Sequence, residues 1–295
     1  MRRARTWLPG LLLLSPSIIA IGVFVYGLIG WNLKVAMSSW HTVISPQRFV
    51  GLDNLAQLWG EARWDIAVRH AIVFTIAFVG GAMLIGVILA LLLDKRVRGE
   101  GGFQAIYLFP MAVSFIASGI VWRWLMNPAP AERASGLNLL FDRAGLGFLA
   151  NDWWQNRSWG MAAIAIPAVW QMGGYVMALF LAGLRGVSED LREAARVDGC
   201  TEWQVYSKVV LPQLKPVTFA ALIILGHISL KVFDLIVAIS GKQIITDVPA
   251  VYMWTMVFDA HDFAKGAAIA TYMLLAVALL IVPYLVYIVR TERRA

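Results

Sequence analysis

Charge is what this sequence has least of. Asp, Glu, Lys and Arg make up only 15% of the 295 residues, whereas a soluble domain of this length carries roughly a quarter. So few charges cannot cover a water-facing surface, and much of the exterior therefore faces lipid. Cysteine is scarcer still: Cys200 stands alone, which excludes an intrachain disulfide and any redox or metal cluster built on cysteine. The four histidines, His41, His70, His227 and His261, are scattered. No H-E-x-x-H, G-x-S-x-G or G-x-x-x-x-G-K-[ST] occurs, so neither a hydrolytic site nor a phosphate-cradling loop is expected. Catalytic and metal-ligating residues are expected to be none.

Apolar residues, by contrast, make up 60% of the chain. Runs free of Asp, Glu, Lys and Arg cover 7–32, 71–93, 103–122, 158–184 and 266–289, each about the length needed to cross a bilayer. A sixth begins at Pro216 and holds Lys231 and Asp234 before ending near Ser240. The fold class expected is all-α: a polytopic membrane bundle, one transmembrane domain over 1–295. Its helices are placed at about 8–31, 70–93, 103–126, 158–184, 216–240 and 265–289, with a loop at 185–215. Pro16, Pro110, Pro167 and Pro283 inside these runs are tolerable, because neighbouring helices satisfy the freed backbone groups. The N-terminal apolar stretch is longer than a signal peptide's core and ends in no small-x-small site, so it reads as a retained first helix.

Lys and Arg placement orients the bundle. Arg2, Arg3, Arg5, Lys95, Arg96, Arg98, Arg185, Arg192, Arg196, Lys208, Lys215, Arg290, Arg293 and Arg294 fall on one side. Lys34, Arg48, Arg63, Arg133, Arg143, Arg157 and Lys242 fall on the other. Both termini and the loop at 185–215 are thereby expected in the cytoplasm. The net charge of +7 reflects topology and attraction to anionic membrane lipid rather than a nucleic-acid surface. On the outer side, Trp40, Trp59, Trp64, Trp153 and Trp154 suit an interfacial aromatic belt.

The loop at 185–215 is the one large cytoplasmic feature. Ser188 before Glu189 and Asp190 predicts a capped, acidic helix start, and Gly199 suits a left-handed helix end. Thr201 and Gln204 have capping-box spacing for a second helix, which Pro212 is expected to stop. Ala194 and Ala195 are small enough to let a helix sit deep in a groove, while Glu193 and Arg196 can pair at its rim. Physics alone leaves two readings open, a docking hairpin or an amphipathic linker resting on headgroups.

Glu193-Ala194-Ala195, then Gly199, then Val209-x-Leu211-Pro212 resembles the EAA loop of the permease subunits of binding-protein-dependent ABC importers. Asp198 before Gly199 suits that pattern; Val209 stands where the family usually has Ile. "FVGLDNL" at 49–55, "IYLFPMAVS" around Pro110, "NPAPAERASGLNLL" at 127–140 and "KVFDLIVAISG" at 231–241 are similar to segments of the sugar-importing, maltose and glycerol-phosphate type branch. Lys242-Gln243-Ile244 departs from the glycine-glycine-proline run often found there. The resemblance implies that Glu193, Ala194, Ala195, Arg196, Asp198 and Gly199 form a coupling helix for a separate ATPase. It further implies a second homologous permease, two ATPase subunits, an extracytoplasmic solute-binding protein and a sugar as cargo. ATP and magnesium would sit on the ATPase, with no cofactor in this chain. The membrane would be the plasma membrane of a bacterium or archaeon.

His227, Lys231 and Asp234 are spaced i, i+4 and i+7 and are expected to share one face of the fifth helix, with Lys231 and Asp234 partly neutralising each other. They line either a hydrophilic path or a grip on a neighbouring helix. Gln171 beside Trp170, and Tyr272 in the last helix, are further candidates for a pathway. An ion-gradient-driven transporter of a small polar solute, with these charges as relay, is the alternative function. The absence of a visible inverted repeat and the presence of the hairpin argue against it.

Overall fold

The computed structural model describes residues 13–95, 98–129 and 133–292. Arg2, Arg3, Arg5, Arg96, Arg293 and Arg294, the start of the first expected span, and residues 130–132 of the outer loop lie outside the described residues. Among those described, every regular element is helical, and the one extended contact is an isolated bridge between Ser38 and Phe49.

Four helices are long and apolar enough to cross a membrane: α1 (Leu13–Ala36), α2 (Ala62–Leu93), α5 (Gly160–Gly186) and α10 (Phe263–Glu292). Two bent pairs raise the number to six if each is one span. These are α3 (Glu100–Ala112) with α4 (Phe115–Leu125), bent by 97°, and α7 (Glu202–Gln213) with α8 (Lys215–Leu230), bent by 64°. Between α5 and α7 lies α6 (Glu189–Val197), and α8 is followed by α9 (Asp234–Ser240). The described residues of Met1–Trp64 and Tyr252–Leu274 form one compact unit, those of Asp65–Val251 and Leu275–Ala295 another.

The third expected span is not one straight helix. Pro110 lies in a tight 3-10 turn, Val113 is extended, and Ser114 opens α4 by accepting the Ala117 N–H at 3.2 Å. The carbonyl of Val113, freed by this bend, accepts the side-chain amide of Gln171. The fifth expected span is likewise interrupted: Lys231, Val232 and Phe233 leave the helix between α8 and α9. A backbone break at membrane depth is tolerated only inside protein or along a wet cavity.

In the larger unit α5 is the most buried of the spanning helices, and its neighbours approach through small residues, as membrane helices do where backbones must come close. Gly86 of α2 faces Val176, and a Cβ there would come within 2.5 Å of that side chain. Gly174 of α5 lies against the Tyr107 carbonyl of α3 so closely that a Cβ would fall 1.8 Å from its oxygen.

The smaller unit is held by polar and aromatic contacts. Asn32 donates to the Ala267 carbonyl at 3.2 Å and the Thr271 hydroxyl at 3.1 Å, and Asn54 donates to the carbonyls of Ala36 and Ser38, both at 2.8 Å. Glu61 accepts from Lys265 Nζ at 2.7 Å and from the Tyr252 hydroxyl, whose ring carries the Arg63 guanidinium 4.3 Å from its centroid. Partial burial pushes the Glu61 carboxyl upward, but the Lys265 and Tyr252 hydrogen bonds and the nearby charges outweigh it and hold the group below its ordinary value of 4.5. Such a carboxylate contributes stability above pH 4.5 that is lost as pH falls through its lower folded value. Glu61→Gln is expected to lower the melting temperature in detergent at pH 7 by about 2–4 °C and to flatten the loss of stability between about pH 5 and pH 3. A variant that melts like wild type at both ends of that range refutes the assignment.

The aromatic-belt expectation changes for three residues. Trp64, Trp153 and Trp154 are buried. Trp64 packs against Trp59 and Tyr272 at centroid distances of 5.9 and 5.4 Å. Trp153 stacks on Phe141 and donates its indole N–H to Asn138 at 2.8 Å. Trp64 sits in the first turn of α2, and Trp153 and Trp154 in a short turn before α5, each enclosed by protein.

Candidate functional site

The charged loop folds as a helical hairpin, α6 then α7. Glu189 and Asp190 occupy the first turn of α6, where the helix dipole favours acids. The Ser188 hydroxyl makes no capping bond, so charge and not a side-chain cap favours this start. Gly199 turns the chain at φ +83, a conformation that costs glycine nothing. The capping box forms: Thr201 N–H donates to Gln204 Oε1 at 2.8 Å, and Thr201 Oγ1 accepts the Gln204 N–H at 3.4 Å. Pro212 does not stop α7. A widened π-type turn over Val205–Val210 precedes Pro212, and the chain bends only at Leu214.

Two arginines organise the hairpin. Exposed Arg196 donates to Glu202 at 2.8 Å and to Glu189 at 3.1 Å, clipping α6 to α7. Its expected partner Glu193 stays exposed, because the turn at Gly199 brings Glu202 closer instead. The Glu202 and Glu189 carboxylates raise the Arg196 pKa above its ordinary value. Arg192 points the other way and is 7% exposed. It donates to Asp94 Oδ2 at 2.8 Å and to the Leu184 carbonyl at 2.7 Å. Burial works against its charge, but the hydrogen bond and field of Asp94 prevail and raise its pKa.

The outward face of α6 and α7 carries exposed Leu191, Glu193, Ala194, Val197 and Asp198, with Val197 87% and Trp203 75% exposed. Ala195 turns inward. Bare Val and Trp side chains thus give the hairpin an exposed apolar face.

The intramembrane candidates part company. Gln171, 3% exposed, spends its amide nitrogen on the Val113 carbonyl. Trp170 packs edge-on against Trp122 at 6.0 Å. Tyr272, in the smaller unit, accepts the Trp59 indole N–H at 2.8 Å and donates to the Leu55 carbonyl at 3.1 Å. Lys231 and Asp234 do not share one helical face, since the helix breaks between them, and no ion pair joins them among the described residues. Both are exposed at the break, while His227 Nδ1 is buried without a hydrogen-bond partner one turn back in α8. The residues that sequence reasoning missed are Asp94 and Tyr206, which meet Arg192. Asp94 is the first charge after the second apolar run, and that position was its only signal.

A bundle of helices long and apolar enough to cross a membrane, two bent pairs among them, with one polar hairpin at the end of its most buried helix, defines a multi-pass membrane protein. The chain belongs to the family of binding-protein-dependent transport system inner membrane components, whose model matches residues 82–294. It is 37% identical over 286 residues to a probable ABC transporter permease of Pyrococcus horikoshii, covering 96% of this chain and 97% of that one. It is 32% identical over 273 residues to the xylose/arabinose import permease of Haloferax volcanii, covering 91% and 84%. Its fold matches a chain of a bacterial ABC transporter involved in the import of the acidic polysaccharide alginate, with a TM-score of 0.78, 20% identity, and coverage of 99% and 96%.

Proposed function

We propose that this chain is the membrane-spanning subunit of an ATP-driven importer that takes a sugar from a solute-binding protein into the cytoplasm. The observation that carries the reading is the hairpin. Its outward face of Leu191, Ala194, Val197 and Trp203, rimmed by Glu193 and Asp198, is a plug for a soluble groove at the end of the helix most enclosed by its neighbours. Glu193, Ala194, Ala195, Arg196, Asp198 and Gly199 form the coupling segment, docking on one of two ATPase subunits that hold ATP and magnesium. A second, similar permease completes the path. The sugar class is supported by the likeness to a xylose/arabinose import permease. The excess of Lys and Arg on the hairpin side supports cytoplasmic termini in a bacterial or archaeal plasma membrane. His227, Lys231 and Asp234 line the hydrophilic path at the break between α8 and α9.

Pull-down of the tagged chain from its native membrane, against Glu193→Arg, tests this reading. Wild type is expected to bring an ATPase with it, and reversing the charge beside Ala194 to lower its recovery at least about tenfold, the effect of a 1.4 kcal/mol loss. Wild type purifying with no ATPase overturns the importer reading.

A further inference from the structure

The hairpin has two attachments to the membrane helices that the peptide chain supplies: the two residues between α5 and α6, and the bend between α7 and α8. It has no covalent link to α2. The third attachment is made by side chains. Asp94 follows the last turn of α2 and its amide closes that helix on the Ala90 carbonyl at 2.9 Å. One oxygen of this carboxylate, Oδ2, accepts Arg192 Nη1 from α6 at 2.8 Å and the Tyr206 hydroxyl from α7 at 2.6 Å. A second guanidinium nitrogen, Nη2, reaches the Leu184 carbonyl in the last turn of α5 at 2.7 Å. Both hairpin helices are thus fastened to α2 through one atom, and α6 is fastened to α5 as well.

We propose that Asp94, Arg192 and Tyr206 form the joint that carries movement of the hairpin into α2 and α5. Arg192 is a positioning residue for coupling, distinct from the outward residues that dock the ATPase. The proposal rests on reading the hairpin as the ATPase's docking element.

The chemistry suits a stiff joint. The side chains of Arg192 and Asp94 are 9% and 4% exposed, and parting them strands a charge in a dry site, which is costly. Intermediate states of a half-open joint are therefore disfavoured, and a displacement of the hairpin is passed on instead of being absorbed. A planar fork fixes two acceptors at once; a lysine ammonium on a flexible stem does not reproduce that geometry. Arg196, on the exposed side, holds α6 and α7 together through Glu189 and Glu202, so the hairpin itself moves as one piece. The burial pattern separates the roles: Arg192 and Ala195 face inward, while Leu191, Glu193, Ala194 and Val197 face outward.

Hydrogen exchange on the complex purified with its ATPase tests the joint without needing the cargo. In wild type, magnesium-ATP with vanadate is expected to slow exchange at the hairpin amides, residues 193–204, and at the last turn of α2, residues 88–94. Arg192→Met is expected to keep the hairpin response and to reduce the α2 response at least about fivefold, the lower end of couplings worth 1–3 kcal/mol. Tyr206→Phe, which keeps the ion pair, and Asp94→Asn, which keeps the shape, report the same loss in smaller and larger degree should the methionine variant fail to assemble. An α2 response equal to wild type in whichever of these variants assembles overturns the joint and leaves the importer reading standing. A wild-type hairpin that does not respond to nucleotide, or a chain with no ATPase, overturns both.

Discussion

Gly174→Val is expected to yield no monodisperse protein in detergent, whereas Gly80→Ala is expected to purify like wild type. At Gly174 an added Cβ would sit 1.8 Å from the Tyr107 carbonyl oxygen, 2.5 Å from its carbon and 3.2 Å from the Leu108 nitrogen. All three are backbone atoms of α3, so no side chain can swing aside. Relief requires moving α3 from α5, and α5 carries Gln171, whose amide closes the bend between α3 and α4. Overpacking alone costs about 1–3 kcal/mol, and the opened bend adds an unpaired, partly buried carbonyl at about 1–3 kcal/mol more. Together, about 2–6 kcal/mol, they are a large fraction of a typical domain's stability of about 5–15 kcal/mol. Gly80 has nothing within 4 Å of its Cβ position, so alanine there gains about 1 kcal/mol of helix propensity. Size-exclusion of fluorescent fusions compares the two. Equal, symmetrical peaks for wild type and Gly174→Val would refute the close approach of α3 to α5.

What could be read from the sequence divides along the same line between local and distant cause. The hairpin was legible because its signals are local: two acids at the start of α6, Gly199 at the turn, and a Thr201–Gln204 box at the next start. The apolar runs marked where the long helices lie for the same reason, but not their ends: α2 begins at Ala62, where the run had suggested 70. Breaks inside the spans were not legible from hydropathy, which sees composition and not direction. Pro110 and Ser114 carried a hint of the α3–α4 bend, since a proline followed four residues later by a helix-capping serine ends one helix and opens another. Gln171 looked like a pathway residue because a buried amide in a membrane helix needs a reason; the reason found is the Val113 carbonyl. The i, i+4, i+7 face of His227, Lys231 and Asp234 presumed an unbroken helix that Val232 and Phe233 interrupt. Arg192 counted only as one more loop cation, because its partner lies 98 residues away in the chain.

Neutralising the charges at that interruption, by Lys231→Met or Asp234→Asn, is expected to lower sugar uptake by the reconstituted complex at least about tenfold while leaving assembly with the ATPase intact. Lys231 and Asp234 are exposed at a place where the backbone leaves its helix. Facing lipid there, each would cost about 2.5–3.5 kcal/mol at the membrane centre, in addition to the unpaired backbone groups of the break. A wet cavity removes both costs at once, and it is the setting in which broken helices at membrane depth occur. In such a cavity the charges attract and orient polar cargo, so their loss reaches transport before it reaches stability. The lipid-facing alternative gives the opposite pair of results: removing either charge relieves its desolvation, raises the melting temperature by several degrees and leaves uptake unchanged. Uptake and melting measured on the same preparations therefore separate the two. Only reduced uptake with an unchanged melting temperature supports a path through the break between α8 and α9.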